Sequence, residues 1–224
     1  MLGNDALRAI ARLCAARNVT ILSDGAYRAF CYVGDVPNLP RIAAEAGATC
    51  VVVDTLSKAY SMSGWRIGFV AGHRTLITAI AAFQSQTISC PAAVTQVAAL
   101  AALSGSRGVV AQSVEVFRKR REVLLSSIAS LPGIALGYEP SGGFFVFPNF
   151  TRYLGLHGRD GSVITDDHSL AAYLLQVAHV SVIPGSAFGA PGYLRLSYTL
   201  PEARIREGIE RIGDALSALT KSGA

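Results

Sequence analysis

The sequence lacks an uninterrupted apolar run long enough to cross a membrane. A spanning helix needs roughly 20 consecutive apolar residues, whereas the richest apolar stretch, residues 77–103, is interrupted by Gln, Ser, Thr and Pro. The sequence also shows no basic segment followed by an apolar segment at Met1, the pattern of a signal peptide. We therefore expect a soluble, cytoplasmic protein with no membrane partner.

Cysteine and histidine are scarce. The chain has four of each, no two cysteines are spaced as CxxC, and no histidine lies at metal-ligand spacing. We therefore predict no metal site, and we expect the cysteines to be buried apolar side chains in a reducing compartment. They are Cys14, Cys31, Cys50 and Cys90.

Charged residues are also few, at 16% of the chain against 51% hydrophobic residues, which is typical of a globular protein. The strongest basic run is FRKRREVLL, residues 117–125, and no aromatic residue interleaves with its charges. This pattern favours the solvated face of an amphipathic helix, with Val116, Leu124 and Ile128 facing inward, over a nucleic-acid site. We therefore expect no nucleic-acid partner, while the net charge of +5 suits small anions.

Hydrophobic periodicity predicts an α/β fold in two parts. In the first part, helical patterns alternate with short apolar runs, and the run at 19–24 is typical of a buried parallel strand. The predicted helices there span 4–18, 39–48 and 73–105 with a break at Pro91, and the predicted strands span 19–24, 49–57 and 66–72. A doubly wound sheet seldom begins with a helix or has so few strands, so this first part looks as if it begins in the middle of a fold.

The second part is predicted to be a small α+β unit. After a long helix over 108–130, the strand-like segments are short and lie among two further helices. The strands are IALGYE, FFVFPNF, VSVIPG and YLRLSYT, and the helices span 167–178 and 201–219. We place the boundary within the long helix, giving domains 1–109 and 110–224. The Gly-rich loop 151–167 is long for a compact domain and is either functional or mobile.

The stretch DTLSKAYSMSGWRIGFVAG, residues 54–72, places a lysine where an apolar strand ends. Lys58 lies among the hydroxyl side chains of Thr55, Ser57 and Ser61, and partial desolvation there lowers the pKa of an amine and makes it a nucleophile toward aldehydes. Arg66 suits bidentate recognition of a phosphate, which the Thr55 and Ser57 hydroxyls could also bind. The alternatives are a surface lysine in a turn and an arginine in a surface ion pair.

Three further residues are candidates by position. Asp24 ends the first predicted strand, where open α/β sheets bind ligands, and Tyr27 follows it; the alternative is a helix-capping Asp beside a packing Tyr. Arg195 alternates with leucines in YLRLSYT, and a buried arginine needs an anion. That anion is either a substrate carboxylate or an internal Asp or Glu.

These segments together resemble a known family. SKAYSMSGWRIGFVAG is similar to the cofactor-lysine motif of the class I/II aminotransferases, which are fold type I pyridoxal-phosphate enzymes. SDGAYRAF, GGFFVFPNF and VSVIPGSAFG followed by YLRLSYT resemble further motifs of that family, in the family's order. QSQTISCPAAVTQVAALAAL and the DGSVITDD loop most resemble the bacterial aspartate, or aspartate/prephenate, aminotransferase branch.

The resemblance implies roles for the cofactor-binding residues. Lys58 would form the Schiff base with pyridoxal 5′-phosphate and act as general acid–base. Asp24 would pair with the pyridinium nitrogen, and Tyr27 would donate to the 3-oxygen of the ring. Arg66, with Thr55 and Ser57, would bind the phosphate; the family often has Ser, or Gly, three residues before the lysine, so Thr55 departs from the pattern.

The resemblance also implies substrates and partners. Arg195 would bind the α-carboxylate, the substrates would be an amino acid, aspartate in this branch, and a 2-oxo acid, and the full-length enzyme would be a homodimer. The similarity covers only the C-terminal portion of such enzymes and implies an incomplete large domain with a partial mixed sheet, followed by a small α+β domain. We therefore expect a truncated aminotransferase whose isolated chain is inactive and exposes an apolar sheet face. The alternatives are another fold type I enzyme, such as a C–S lyase, and a non-catalytic module that binds pyridoxal phosphate.

Overall fold

The computed structural model describes residues 2–106, 108–158 and 161–221. The chain divides into a first unit, Met1–Val114 with Ser141–Gly143, and a second unit, Glu115–Pro140 with Phe144–Ala224. This division falls inside the long helix, as does the boundary predicted between residues 109 and 110. The exact position of the domain boundary stays a prediction.

The first unit contains a three-stranded mixed sheet, β1-β2-β3. β1 runs parallel to β2, with Asp24 opposite Val53, and β2 runs antiparallel to β3, with Thr55 opposite Gly68. The elements are α1 (Asn4–Ala16), β1 (Ile21–Asp24), α2 (Leu39–Glu45), β2 (Cys50–Thr55), α3 (Leu56–Ala59), β3 (Gly68–Ala71), α4 (Arg74–Thr87), α5 (Ala93–Ser104) and α6 (Gly108–Ala129), which continues into the second unit. The predicted α/β class with a partial mixed sheet is confirmed.

Two small apolar clusters stabilise the first unit. Ala11 of α1, Ile21 of β1 and Ile42 of α2 pack together with Ala43, and Leu56, Met62 and Ala99 form the second cluster beside the β2–β3 connection. Burial of each aliphatic side chain contributes roughly 1.5–3 kcal/mol. The second cluster therefore fixes the start of α3, which carries Lys58.

Much apolar surface of the first unit is exposed, and the expectation of a buried first strand was wrong. Only Ile21 of β1 is buried, Leu22 is 72% exposed, and all four residues of β3 are exposed. α4 has no buried residue, and its Phe83 is 73% exposed.

The second unit has a small antiparallel sheet, β4-β6-β5, most of α6 and two further α-helices. Phe145 lies opposite Ser197, and Ile183 lies opposite Arg195. The elements are β4 (Phe145–Val146), α7 (Asp167–Tyr173) with a π-helical turn over Leu174–Ala178, β5 (Ile183–Pro184), β6 (Leu194–Ser197) and α8 (Glu202–Ser217). The predicted strand IALGYE was wrong, because only Ala135 in it forms a β-bridge, to Asn149.

The loop 151–167 is held at several described positions. The Gly155 amide donates to the Ile164 carbonyl at 2.7 Å, and the His157 amide donates to the Thr220 carbonyl at 2.8 Å. Ile164 is fully buried, which anchors the loop in the core of the second unit. Residues 159 and 160 of this loop lie outside the described residues.

One other expectation needs correction. The cysteines were expected to be buried, but Cys14, Cys31 and Cys50 are only half-buried and Cys90 is exposed.

Among the described residues no single helix is both long and apolar enough to cross a membrane. The helices α5 and α6 meet that test only when they are counted together across an 82° bend.

The inward face of α6 was predicted in part. Leu124 and Ile128 are buried as predicted, whereas Val116 is 45% exposed. Arg121, which was assigned to the solvated face, is 6% exposed. Its guanidinium donates to the Pro140 carbonyl at 2.5 Å and to the Glu139 carboxylate at 2.6 Å, so the segment that follows the helix supplies the acceptors.

Arg121→Ala is expected to lower the free energy of unfolding of the second unit by about 2 kcal/mol, since it removes hydrogen bonds from a charged donor and leaves the Pro140 carbonyl without them. Denaturant unfolding followed by circular dichroism measures the change. Lys119→Ala, on an exposed position of the same helix, is the control and should change stability by under about 0.5 kcal/mol. If Arg121→Ala lowers the free energy of unfolding by no more than Lys119→Ala does, the buried guanidinium does not stabilise the second unit.

Candidate active site

The carboxyl ends of β1 and β2 lie side by side and place candidate residues at one edge of the sheet. Asp24 ends β1 opposite Val53, and β2 continues directly into α3, which carries Ser57 and Lys58. The next residue, Gly25, donates its amide to the Val53 carbonyl at 2.8 Å. A Cβ at Gly25 would lie 2.9 Å from the Asp54 carboxylate, so a larger residue at this position would displace the Asp54 side chain.

Asp24 begins the turn that carries Tyr27. Its Oδ1 accepts a hydrogen bond from the Ala26 amide at 2.9 Å, and residues 26–29 form a turn instead of a helix. The predicted alternative of a helix-capping aspartate therefore does not describe this residue. The side chain is exposed, so the rest of its carboxylate is open to a ligand.

Lys58 and Tyr27 converge. The Lys58 Nζ lies 5.7 Å from the centre of the Tyr27 ring, and the lysine is half-buried within α3. An ammonium group over an aromatic face is attracted by the ring. The lysine is thus held at a defined position beside a phenol, unlike a surface lysine in a turn.

Thr55 organises the start of α3. Its hydroxyl oxygen accepts from the Ser57 amide at 3.1 Å, and its hydroxyl donates to the Ile67 carbonyl at 2.9 Å. Because a hydroxyl has one hydrogen, the 2.7 Å contact between the Thr55 and Ser57 hydroxyls is donated by Ser57. Thr55 therefore ties the two ends of the β2–β3 connection together as the N-cap of α3.

Arg66 lies at the far end of the same connection. It follows a 3₁₀ turn over Ser63–Trp65, has a left-handed φ of 52°, and donates to the Ser63 carbonyl at 2.9 Å. Its side chain is exposed, and no Asp or Glu of the described residues forms an ion pair with it. A left-handed arginine is unfavourable without compensation, and its guanidinium keeps donors for an anion.

These residues suit an aldehyde that carries an anionic group. One connection between two paired strands supplies an amine, two hydroxyls and a guanidinium, and the neighbouring turn supplies a phenol and a carboxylate. An amine condenses with aldehydes, and a guanidinium binds a phosphate through parallel hydrogen bonds. The structure thus brings Lys58, Tyr27, Thr55, Ser57 and Arg66 into one region of the first unit, with Asp24 at the same sheet edge.

Arg195 lies in the second unit, on the face of β6 opposite Leu194 and Leu196, which are both buried. The carbon of its guanidinium is 4.7 Å from the centre of the Phe145 ring and 4.5 Å from that of Phe188. No Asp or Glu of the described residues pairs with it. The predicted alternative of an internal carboxylate partner is therefore not found in this part of the chain, and an anion from solution remains as the ligand.

Several residues of this second region were missed from the sequence. Phe145 and Phe188 flank Arg195. The two consecutive phenylalanines in GGFFVFPNF were the sequence signal for Phe145. Asp167, at the start of α7, is 2% exposed and accepts a hydrogen bond from the Ser186 amide at 2.7 Å. Burial raises the pKa of Asp167, but the hydrogen bonds donated by Ser186 and by backbone amides outweigh it, so the pKa is lowered.

Comparison with known proteins gives one family. The family model described as aminotransferase class I and II matches residues 1–212. A probable aspartate/prephenate aminotransferase of Aquifex aeolicus is 38% identical over 217 residues, which cover 95% of this chain and 53% of that protein.

Two solved structures have the same fold. The crystal structure of the Rhizobium meliloti aspartate aminotransferase superposes with a TM-score of 0.86 at 35% identity, over 93% of this chain and 52% of that one. The Thermus thermophilus aspartate aminotransferase with maleate superposes with a TM-score of 0.84 at 32% identity, over 95% and 52% respectively. The chain spans about half the length of the relatives it matches.

Proposed function

The chain belongs to the aminotransferase class I and II family, and from this premise we propose that it contributes to transamination between an amino acid, aspartate, and a 2-oxo acid. The observation that carries the proposal is the Lys58 amine at the carboxyl edge of the sheet, beside Tyr27 and on the same connection as Arg66. The names of the matched relatives favour transamination over a C–S lyase or a non-catalytic module.

Pyridoxal 5′-phosphate is the cofactor of this family, and when bound it supplies an aldehyde that condenses with amines and a pyridine ring that withdraws electrons from a substrate Cα. The Lys58 amine would hold the aldehyde in the resting protein. Once a substrate amine has displaced it, the same Lys58 Nζ would move the proton at the substrate Cα as general base and acid.

Asp24 and Tyr27 would act on the two polar atoms of the ring. The exposed Asp24 carboxylate is oriented by the Ala26 amide and would accept a hydrogen bond from a protonated ring nitrogen. The Tyr27 hydroxyl would donate to the ring oxygen next to the aldehyde. Both roles need side chains at the sheet edge that holds Lys58: Asp24 ends β1 at that edge, and Tyr27 lies in the turn that follows.

Arg66 and Ser57 would bind the phosphate. The Arg66 guanidinium has one donor engaged with the Ser63 carbonyl and others available for phosphate oxygens. The Ser57 hydroxyl, which here donates to Thr55, can rotate toward an anion. Thr55 supports the site mainly by joining α3 to the carbonyl of Ile67.

Arg195 would bind the substrate α-carboxylate. Its guanidinium between two phenylalanine rings and without an ion-pair partner in the described residues suits a planar carboxylate, which accepts two parallel hydrogen bonds. Support for aspartate comes from the relatives named aspartate aminotransferase and from the structural neighbour solved with maleate, a dicarboxylate.

We also propose that the working enzyme is a homodimer and that the 224-residue chain alone turns over little or no substrate. The exposed apolar residues of β3, α4 and α5 suit coverage by further protein. The relatives are about twice as long as this chain.

A single-turnover experiment tests the proposed reaction. Excess chain is incubated with pyridoxal 5′-phosphate and L-aspartate, and pyridoxamine 5′-phosphate is quantified by liquid chromatography and mass spectrometry. Because the isolated chain should turn over little substrate, we expect conversion only slightly faster than with free cofactor, the free-cofactor rate with Lys58→Ala, and slower conversion with L-alanine. Pyruvate and ammonia formed from L-cysteine at a higher rate would instead favour a lyase.

A further inference from the structure

A buried carboxylate without a cationic partner lies at the start of α7. Asp167 is 2% exposed, whereas its neighbour Asp166 is exposed and caps the helix by accepting the Ser169 amide at 2.7 Å. No Lys, Arg or His of the described residues forms an ion pair with Asp167. A buried charge is costly unless hydrogen bonds compensate it, so the acceptor bonds of Asp167 identify its role.

The acceptor bond of Asp167 comes from the start of one short segment, residues 185–193, which we name the 185–193 segment. The Ser186 amide donates to Asp167 Oδ2 at 2.7 Å, while the Ser186 hydroxyl lies 2.9 Å from His168 Nε2. The carboxylate therefore holds the start of the segment.

Backbone hydrogen bonds within the 185–193 segment close it into a loop. The Gly185 amide donates to the Tyr193 carbonyl at 2.7 Å, and the Ala190 amide donates to the Gly185 carbonyl at 3.0 Å. A Cβ at Gly185 would lie 2.3 Å from the Ala190 carbonyl oxygen, so only glycine allows this closure. The segment then leads directly into β6, which carries Arg195.

Phe188 is the side chain of this segment that reaches Arg195. Its ring lies 4.5 Å from the guanidinium carbon and also packs edge-on against Phe147 at 5.9 Å. Phe188 itself is 50% exposed, so burial alone does not fix its position. Phe188 is the last residue of the turn over Gly185–Phe188, and Asp167 accepts the Ser186 amide within that turn. The position of Phe188 therefore depends on how Asp167 holds the turn.

We propose that Asp167 is a positioning residue for Arg195: its carboxylate anchors the turn over Gly185–Phe188 through the Ser186 amide and thereby holds Phe188 over the guanidinium. The ring covers one face of the guanidinium and restricts it to the plane in which it can meet a carboxylate. The functional meaning of this arrangement rests on the proposed role of Arg195 in carboxylate binding.

Reaction of the whole chain with phenylglyoxal, an arginine reagent, tests the proposal by peptide mass spectrometry. The labelling rate of Arg195 reports its cover, while Arg121, buried in the same unit, reports folding, and Arg152, exposed there, reports general reactivity. Asp167→Asn keeps the size of the side chain but removes its charge, so a weaker neutral hydrogen bond replaces the charge-assisted one from the Ser186 amide. The matched control is Asp166→Asn, because asparagine caps helices as well as aspartate does.

We expect Asp167→Asn to raise the Arg195 labelling rate by about threefold, the size of a lost cation–π contact, with Arg121 and Arg152 unchanged. Phe188→Ala should give the same increase, and the double variant should add nothing to it, because both act through one contact. Asp166→Asn should leave all three rates as they are.

Three results would overturn the proposal: an unchanged Arg195 rate in Asp167→Asn, additive effects in the double variant, or new labelling of Arg121, which would show that Asp167 supports the whole unit. Succinate added to the unmodified chain tests the proposed function separately. If succinate protects Arg195 and the protection weakens in Asp167→Asn, the result supports both carboxylate binding by Arg195 and its positioning by Asp167. If succinate does not protect Arg195 in the unmodified chain, carboxylate binding is contradicted. The labelling rates without succinate then still decide the positioning role.

Discussion

Borohydride reduction of the chain after incubation with sub-stoichiometric pyridoxal 5′-phosphate is expected to leave the phosphopyridoxyl group on Lys58. The chain has three lysines, Lys58, Lys119 and Lys221, and both alternatives are exposed whereas Lys58 is half-buried. Access alone would favour the two exposed amines. Preferential reaction at Lys58 therefore requires that the surrounding residues bind the rest of the cofactor.

The expected preference for Lys58 is about tenfold or more, which corresponds to about 1.4 kcal/mol of binding by the neighbouring groups. Digestion and mass spectrometry locate and quantify the adduct. Pyridoxal, which has the aldehyde but no phosphate, is the control reagent and should label the three lysines with less discrimination. Lys58→Arg keeps a cation beside Tyr27 but cannot form the imine, so only background labelling of Lys119 and Lys221 should remain.

Label spread evenly over the three lysines would contradict the site. Such a result would mean that the connection between β2 and β3 does not hold the cofactor in this chain, and the family membership would then describe ancestry without present binding. Adduct at Lys58 that is insensitive to the phosphate would instead support a reactive lysine but remove the role of Arg66.

The connection that carries Lys58 could be predicted from the sequence because its signals are local. The apolar run of β2 ends at Thr55, small polar residues follow, and the apolar run of β3 begins again at Gly68. The closing bonds of Thr55 also lie within this stretch. What the pattern did not contain was the left-handed backbone of Arg66, which depends on how the 3₁₀ turn over Ser63–Trp65 closes.

Burial was harder to predict because it depends on distant parts of the chain. Leu22 and Phe69 lie in apolar strands, yet both are exposed, since an apolar pattern shows only which face can be covered. Arg121 sits in a basic run and is buried, because Glu139 and Pro140 happen to supply its acceptors. A sequence window around residue 121 contains neither acceptor.

The second region shows the same limit. Two consecutive aspartates before an apolar run predict a helix start, and Asp166 and Asp167 fulfil this. Nothing local distinguishes the exposed cap from the buried carboxylate. That distinction is made by Ser186, which is far along the chain and approaches Asp167 only through the fold.

Replacing Arg66 with Gln is expected to weaken the binding of pyridoxal 5′-phosphate about 10- to 100-fold, because a charge-assisted hydrogen bond contributes about 1.5–3 kcal/mol. The affinity for pyridoxal should not change, since it has no phosphate for Arg66 to bind. Gln and Arg share the backbone strain of the left-handed position, so the comparison isolates the guanidinium.

Trp65, the single tryptophan of the chain, precedes Arg66 and is 45% exposed, so its fluorescence can report binding. Arg74→Gln is the matched control, because Arg74 is an exposed arginine of the same unit at the start of α4; it should leave both affinities unchanged. Arg66→Lys should give an intermediate loss, since an ammonium keeps the charge but not the planar pair of donors.

Added salt separates the guanidinium contribution from a general effect of positive charge. An exposed long-range attraction weakens over a Debye length of about 8 Å at physiological ionic strength, while a direct hydrogen-bonded contact is screened much less. The difference in affinity between the unmodified chain and Arg66→Gln should therefore persist in high salt. If it disappears, or if Arg74→Gln weakens binding as much as Arg66→Gln, the phosphate is attracted by the net charge of the chain and Arg66 does not form its binding site.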